Sequence, residues 1–397
     1  MNSNILNTGA QNFISENKNT DIVTVLLKKP IFEGISNKEL AQQIESRKKC
    51  EKKLPTWFKT PKIYYPKKLN IEQTSSEITA DYKASICSGN SLVDLTGGFG
   101  VDSYFFSKYF EQILHLEIDE DLSKIASHNF EILGAKNIRA KAQNGIDYLE
   151  KTEKNFDCIY LDPARRKEGN QKVFMLSDCT PNILKHLPLL FSKAERVLVK
   201  TAPLLDIRLG LSELKHVREI HVVAVENDVK ELLWLMEDGY QGKVNIKTIN
   251  FTKGDTQKFN FHLEEESHAT SEFSKAKTYL YEPNSALLKS GAFKFLGQQL
   301  GLEKLHEHTH LYTSDKSIEF PGRVFKIIEK IPFNKKSLKA LNIKKANITT
   351  RNFPETVAQI RKKLRIADGG KLYLFFCKEI NQELAIMVCE KVTSEVK

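Results

Sequence analysis

Residues 92–103 read LVDLTGGFGVDS. Leu92, Val93 and Leu95 around Asp94 form a short apolar run of the kind that makes a buried strand. Gly97, Gly98 and Gly100 follow, and the helix-forming stretch VDSYFFSKYF starts at Val101. Glycines at a strand-to-helix turn let the backbone approach a ligand closely and leave amides free at the helix start. Taken alone, such a turn fits a dinucleotide, S-adenosylmethionine or no ligand at all.

The flanking pattern sets the fold. Strand-like QILHLEI, NIRAKA, FDCIYLD and RVLVKTA alternate with helix-like EDLSKIASHNFEILG, GIDYLEK and NILKHLPLLFSK, and EITADYKASIC is a helix ahead of the first strand. Alternation of this kind predicts right-handed crossovers and a parallel sheet covered on both faces. EIHVVAV and ELLWLME lie too close for a helical crossover, so they add an antiparallel edge. The expected fold class is α/β with a Rossmann-like sheet. VNIKTINF and KFNFHLEE read as a further hairpin, and EEESHATSEFSKAKT as a polar boundary.

Candidate site residues fall at the carboxyl ends of the predicted strands, where parallel sheets bind ligands. Glu117 ends the second strand, 17 residues beyond Gly100, where an acid can accept both ribose hydroxyls of an adenosine. Asp94 ends the first strand, where a carboxylate can hold an ammonium and would repel a pyrophosphate. Asn144 follows the third strand, where its amide can face an adenine amino group. Glu117 would serve either ligand, while Asp94 and Asn144 favour S-adenosylmethionine over a dinucleotide. Asp162 and Pro163 end the fourth strand in DPARR, a rigid bend that can aim acceptors at a substrate amino group. Arg165 and Arg166 could meet phosphate or a base. Lys200 and Thr201, at the end of the fifth strand, could face the substrate.

Charge adds a partner. The chain has 397 residues and a formal net charge of +10. Residues 1–70 hold 13 Lys/Arg and 6 Asp/Glu, and residues 321–397 hold 17 and 7. Two basic ends thus flank an acidic centre, a distribution that concentrates a polyanion. The six cysteines form no Cys-x-x-Cys pair, which argues against a zinc site and fits a reducing cytoplasm. No apolar run is long enough for a bilayer span, and the start MNSNILNTGAQNF does not read as a secretory signal. Trp57, Phe58, Tyr64 and Tyr65 sit in a proline-rich arm, LPTWFKTPKIYYPKKLN, and are expected to staple that arm to the domain. His306, His308 and His310 in LHEHTHL read as an exposed polar loop, with no metal expected.

In this order and spacing the motifs resemble the class I S-adenosylmethionine-dependent methyltransferases over about residues 71–240. LVDLTGGFG is similar to the family's first motif, with Thr96 in place of the first glycine and Gly98 and Gly100 matching the others. DPAR resembles the Asp/Asn-Pro-Pro-aromatic motif of enzymes that methylate exocyclic or amide nitrogens, with Ala164 for the second proline and Arg165 for the aromatic. More narrowly, EQTSSEITADYKA, DLTGGFGVDS, DPARR, VKTAPLLD, ENDVKELL and LYEPNSALLKSGA resemble a group of bacterial proteins. These join a methyltransferase-like domain to a ferredoxin-like segment and a C-terminal THUMP-like domain.

The resemblance implies a cofactor set of Asp94, Thr96, Gly98, Gly100, Glu117, Ile118, Asn144 and Gly145, with Gln73, Thr74 and Ser75 near the methionine end. It implies a catalytic set of Asp162, Pro163 and Ala164. By the same analogy THUMP domains bind structured RNA, so RNA would meet the basic module 321–397. The expected divisions are 1–70, a basic helical segment; 71–275, the methyltransferase domain; 276–320, a small ferredoxin-like segment; and 321–397, a THUMP-like α+β domain. The expected activity is methyl transfer to transfer or ribosomal RNA, with a purine nitrogen as the expected acceptor. The rivals are a non-catalytic RNA-binding or ribosome-assembly factor and a protein or small-molecule methyltransferase.

Overall fold

A computed structural model describes residues 1–165 and 175–392. The chain divides into two compact units, one of Met1–Arg218 with Leu232–Gln241, the other of Glu219–Glu231 with Gly242–Lys397.

The first unit opens with helices. Helix α1 (Asn37–Lys53) starts at the capping box that the sequence predicts: the Ser36 hydroxyl accepts from the Glu39 amide, and Glu39 accepts from the Ser36 amide. The arm after it is not purely extended. Pro55–Lys59 forms a helical turn with proline at its first position, where the missing N–H costs nothing. The aromatic residues staple this arm as expected. Trp57 is fully buried and packs edge-on against Tyr104 at 5.0 Å, and the Tyr65 hydroxyl donates to the Trp57 carbonyl at 2.9 Å. Helices α2 (Lys68–Gln73) and α3 (Glu77–Ala84) lead into the sheet.

That sheet carries β1 (Gly89–Asp94), β2 (Phe110–Glu117), β3 (Ile138–Ala142), β4 (Phe156–Leu161) and β5 (Ala194–Thr201). Helices α4 (Val101–Phe106), α5 (Glu120–Ile132), α6 (Gly145–Lys151) and α7 (Ile183–Lys193) make the crossovers. All neighbouring pairs among β1–β5 run parallel. After β6 (Val217–Val225), strand β7 (Asp228–Glu237) lies antiparallel to β5, pairing Lys200 with Leu233 and Thr201 with Leu232. The order within this unit is β7-β5-β4-β1-β2-β3. From β1 the chain winds outward to β2 and β3, then returns to lay β4 and β5 on the other side. The reversal between β1 and β4 is a topological switch point, which leaves a crevice at the strands' carboxyl ends.

In the second unit β6 runs parallel to β8 (Asn245–Thr252), which forms the expected hairpin with β9 (Asp255–His262). A seven-stranded sheet follows. Its order is Glu303–Lys304, Tyr312–Ser314, β10 (Tyr279–Pro283), β11 (Gly322–Pro332), β14 (Leu384–Lys391), β13 (Leu372–Lys378) and β12 (Asn347–Arg351). Side chains alternate across it. Phe375 joins Leu280, Phe325 and Met387 in one core, while Leu374 and Phe376 join Ile360 and Ile386 in another. Buried Glu282 accepts from Arg351 at 2.9 Å and also from Arg323, tying three strands by charge.

The histidine stretch is not the exposed loop the sequence predicts. His306 is buried and contacts Gln382 at 3.0 Å, and His310 stacks on Phe293 with ring centroids 3.7 Å apart. His308 is the exposed one. No helix among the described residues is long and apolar enough to cross a membrane.

Trp57→Ala removes the ring that closes the helical layer. Urea unfolding should show a loss of about 3–5 kcal/mol. A loss below about 1 kcal/mol would contradict this reading of the arm.

Candidate active site

The crevice starts at the glycine turn, and its shape is forced by close contacts. The Gly97 amide donates to the Leu116 carbonyl at 2.8 Å, and a Cβ there would lie 2.2 Å from the His115 ring. Gly100 has φ of +86°, and a Cβ on it would press into Phe130 at 2.5 Å. Gly98 is different: its φ is +57°, and the nearest atom to an added Cβ is the Thr96 carbonyl at 3.9 Å. Its outer face is open. Gly145 serves closeness, because a Cβ there would meet the Leu95 carbonyl at 2.6 Å.

Glu117 clasps the turn from β2. One carboxylate oxygen accepts from the Gly98 amide at 2.7 Å and the other from the Asp119 amide at 2.8 Å. A carboxylate has about four lone-pair sites, so two remain for hydroxyl donors. Ile118 beside it is 72% exposed. Asn144 caps α6, its Oδ1 accepting from the Ile146 amide at 2.9 Å and the Asp147 amide at 3.2 Å. The oxygen is therefore taken. The Nδ2 donor, with no partner among the described residues, suits a ring nitrogen rather than the adenine amino group expected from sequence.

Thr96 explains its own departure from glycine. Its hydroxyl accepts from the Asp162 amide at 2.7 Å, lacing the end of β1 to the end of β4 across the switch point. The Asp162 carboxylate is ion-paired with Lys200, which is largely buried, so Lys200 is not a solvated strand end. Pro163 is buried and Ala164 is exposed. Ala164 and Arg165 form a two-residue strand antiparallel to Cys179 and Thr180. Arg166 lies outside the described residues. Thr201 is buried and accepts from the Trp234 indole at 2.9 Å, so it packs the core and does not face substrate.

Asp94 is the main correction. It is 1% exposed; its two oxygens accept from the Thr96 amide at 3.0 Å and the Ser103 hydroxyl at 2.6 Å. It braces the turn from beneath and is closed to an ammonium. Burial pushes its carboxyl up to about 7, against the bonds from Ser103 and Thr96, with Asp102 and Asp162 adding to the rise. His115 is also buried, 3.0 Å from Ser103, and burial pushes it down to about 3.

Sequence reasoning misses a second buried group. The Lys83 ammonium is 0% exposed and donates to Ser75 and to Asp102, each at 2.8 Å. The Tyr160 hydroxyl donates to the other Asp102 oxygen at 2.8 Å. Burial would raise the Asp102 carboxyl, but the charges of Lys83 and Lys200 and the bonds from Lys83 and Tyr160 outweigh it and hold the group below its usual range. Ser75 thus belongs to this network, while Gln73 is exposed and Thr74 half-buried at the end of α2. A lysine in EITADYKASIC carries no local signal for this; only the polar pattern of a helix placed ahead of the first strand could have drawn attention to it.

Asp94 and His115 act in opposite senses on acid stability. The raised Asp94 contributes stability that is full below about pH 4 and lost as pH rises through about 7. The depressed His115 contributes stability that is full above its ordinary value near 6.5 and lost as pH falls toward 3. Between these limits the two offset each other. Asp94→Asn unmasks His115, so its stability relative to wild type should fall on acidification from pH 7 to 4, by up to about 1.4 kcal/mol per pH unit. Parallel profiles in urea unfolding would contradict this. Lys83→Met should cost about 3–5 kcal/mol by stranding Asp102, and adding Asp102→Asn should recover much of that.

Comparison with known proteins supplies the family. Residues 279–321 match a ferredoxin-like domain family and residues 322–391 a THUMP domain-like family. No curated protein sequence matches. The solved structure of a candidate methyltransferase from Porphyromonas gingivalis W83 aligns with a TM-score of 0.90 at 33% identity, over 98% of this chain and 99% of that one. An rRNA methylase from Streptococcus thermophilus aligns over 40% of this chain and 94% of its own, at 13% identity and a TM-score of 0.30. A candidate methyltransferase from Streptococcus mutans, solved with SAH, covers 41% of this chain and 96% of its own, at 13% identity and a TM-score of 0.30. Whole-length similarity to the Porphyromonas gingivalis protein, together with the strand order and the two C-terminal matches, makes this chain a member of that protein's family, with a class I methyltransferase fold followed by ferredoxin-like and THUMP-like domains.

Proposed function

We propose that the protein transfers a methyl group from S-adenosylmethionine to RNA, transfer or ribosomal, with a purine nitrogen as acceptor. The observation that carries this is the set of spare polar groups in one crevice: the open face of Gly98, two free lone-pair sites on Glu117, the Asn144 amide and the Asp162 carboxylate. Glu117 would accept the ribose hydroxyls of any adenosine ligand, and the Asp162 carboxylate favours a positively charged tail over a pyrophosphate, whose oxygens it would repel.

S-adenosylmethionine would supply an electrophilic methyl carbon on sulfur. Glu117 would accept from the ribose hydroxyls, Ile118 would cover one face of the adenine, and the Asn144 Nδ2 would donate to its ring. Gly98 and Gly100 would allow the backbone approach, with Gln73 and Thr74 near the methionine end. Lys200 holds one Asp162 oxygen, which leaves the other to accept an N–H of the nucleophile and turn its lone pair toward the methyl carbon. Pro163 fixes the bend from which this is done. Positioning of this kind supplies most of the rate in such a transfer. The THUMP-like match and the basic 321–397 segment support RNA as the substrate.

One observation favours a rival. Ala164 stands where the motif's second proline is usual, a departure that fits a binding factor that does no chemistry. Methyl transfer from isotope-labelled S-adenosylmethionine to RNA from cells lacking the protein decides between them. Wild type should label that RNA, and Asp162→Ala should lose at least about 100-fold in rate while still binding the cofactor. Glu117→Ala should weaken cofactor binding by about 10–100-fold. Cofactor binding without any labelled RNA would sink RNA methylation and leave the binding factor or a methyltransferase for a protein or small molecule.

A further inference from the structure

The helical layer ahead of the sheet contains a groove that has no part in the methyl transfer itself. It has a volume of about 450 Å³ and is lined by Lys18, Lys48, Lys49, Lys52 and Lys68 against Glu45 and Glu51, on a floor that includes Ile44. None of the crevice residues lines it. Glu45, Lys48, Lys49 and Lys52 all lie on α1 at positions i, i+3, i+4 and i+7, so the sequence puts them on one stripe. The helix ends in Lys52 and Lys53, so its C-terminal turn is already rich in cations.

Three of the lysines have carboxylate partners: Lys18 with Glu51 at 2.8 Å, Lys49 with Glu72 at 3.1 Å and Lys68 with Glu45 at 3.6 Å. All three pairs are well exposed, and exposed pairs contribute little, so an anion can displace them at small cost. Lys48 and Lys52 are exposed and make no ion pair or hydrogen bond among the described residues. The groove therefore carries a surplus of cations over acids, two of them uncommitted.

Its position ties it to the chemistry. Lys68 on the groove is the first residue of α2, and Gln73 is the last. Six residues of helix span roughly 9 Å, one or two nucleotide steps. Ser75, just beyond, bonds Asp102 beneath the glycine turn at 3.0 Å.

We infer that this groove binds the sugar-phosphate backbone of the RNA whose nucleotide enters the crevice, giving the protein a phosphate-binding surface on its N-terminal helices in addition to the basic C-terminal segment. This rests on RNA being the substrate, as proposed for the crevice. The occupant is a sugar-phosphate backbone and not an acidic protein segment, because the cations are spaced along one helix stripe that can follow successive phosphates.

The test uses the full-length protein, unfractionated transfer RNA and polyglutamate as competitor. Lys48→Glu/Lys52→Glu should weaken RNA binding at least about tenfold near 0.1 M salt and reduce the slope of log affinity on log salt by about 2, roughly one for each phosphate no longer neutralised. Its thermal midpoint and its affinity for S-adenosylhomocysteine should match wild type, since neither lysine touches the core or the crevice. If wild type binds RNA and the double variant binds it with the same affinity and slope, the groove inference is overturned and RNA stands as the substrate. Polyglutamate that displaces RNA at equal charge concentration overturns the choice of occupant. Should wild type bind no RNA while still binding S-adenosylhomocysteine, the RNA substrate fails and the groove inference with it.

Discussion

A lysine ammonium with no exposure to water, held 2.8 Å from a carboxylate, is the constraint around which the first unit is built. Lys83 comes from α3, Asp102 from α4 and Tyr160 from β4, and Ser75 joins them from the segment between α2 and α3. Stripping water from two charges costs several kcal/mol each, and attraction offsets this only when geometry and further hydrogen bonds are good. Here both Asp102 oxygens are satisfied. The pair is weak evidence for stability but strong evidence for position, because few other arrangements of α3, α4 and β4 would leave both charges matched. Helix α4 carries the glycine turn on its front end, so the turn inherits that placement.

Above this network the crevice is laced together by backbone donors. Glu117 holds Gly98, Asp94 holds Thr96, and Thr96 holds Asp162. Each bond ties a strand end to a neighbouring loop around the switch point. The loops are thereby ordered before any ligand arrives, which reduces the entropy lost on binding. Asp162 is further fixed by Lys200, so the acceptor end of the crevice is as constrained as the cofactor end.

Much of this is legible in the sequence, and the failures share a cause. Strands β1, β2, β4 and β5 stand out because buried parallel strands read as apolar runs, whereas β3, an edge strand with no fully buried residue, shows only by its place in the alternation. The Ser36 cap, the glycine turn and Glu117 are local patterns, decided within a few residues. The Asp162–Lys200 pair spans 38 positions, Lys83–Asp102 19 and Tyr160–Asp102 58, so no local pattern contains them. Asp94 misleads because a strand-end carboxylate faces either the ligand or the loop, and Ser103, nine positions on, turns it inward. The histidines mislead for the same reason: Gln382, 76 residues away in sequence, helps to cover His306.

The central claim is that the crevice between β1 and β4 receives an adenosine bearing a charged sulfur. A crystal structure of the protein grown with S-adenosylhomocysteine tests it most directly. The account predicts the ribose hydroxyls on Glu117, the adenine against Ile118 and the sulfur turned toward Asp162. The nucleoside bound elsewhere, or a crevice closed by its own side chains at saturating ligand, would contradict it.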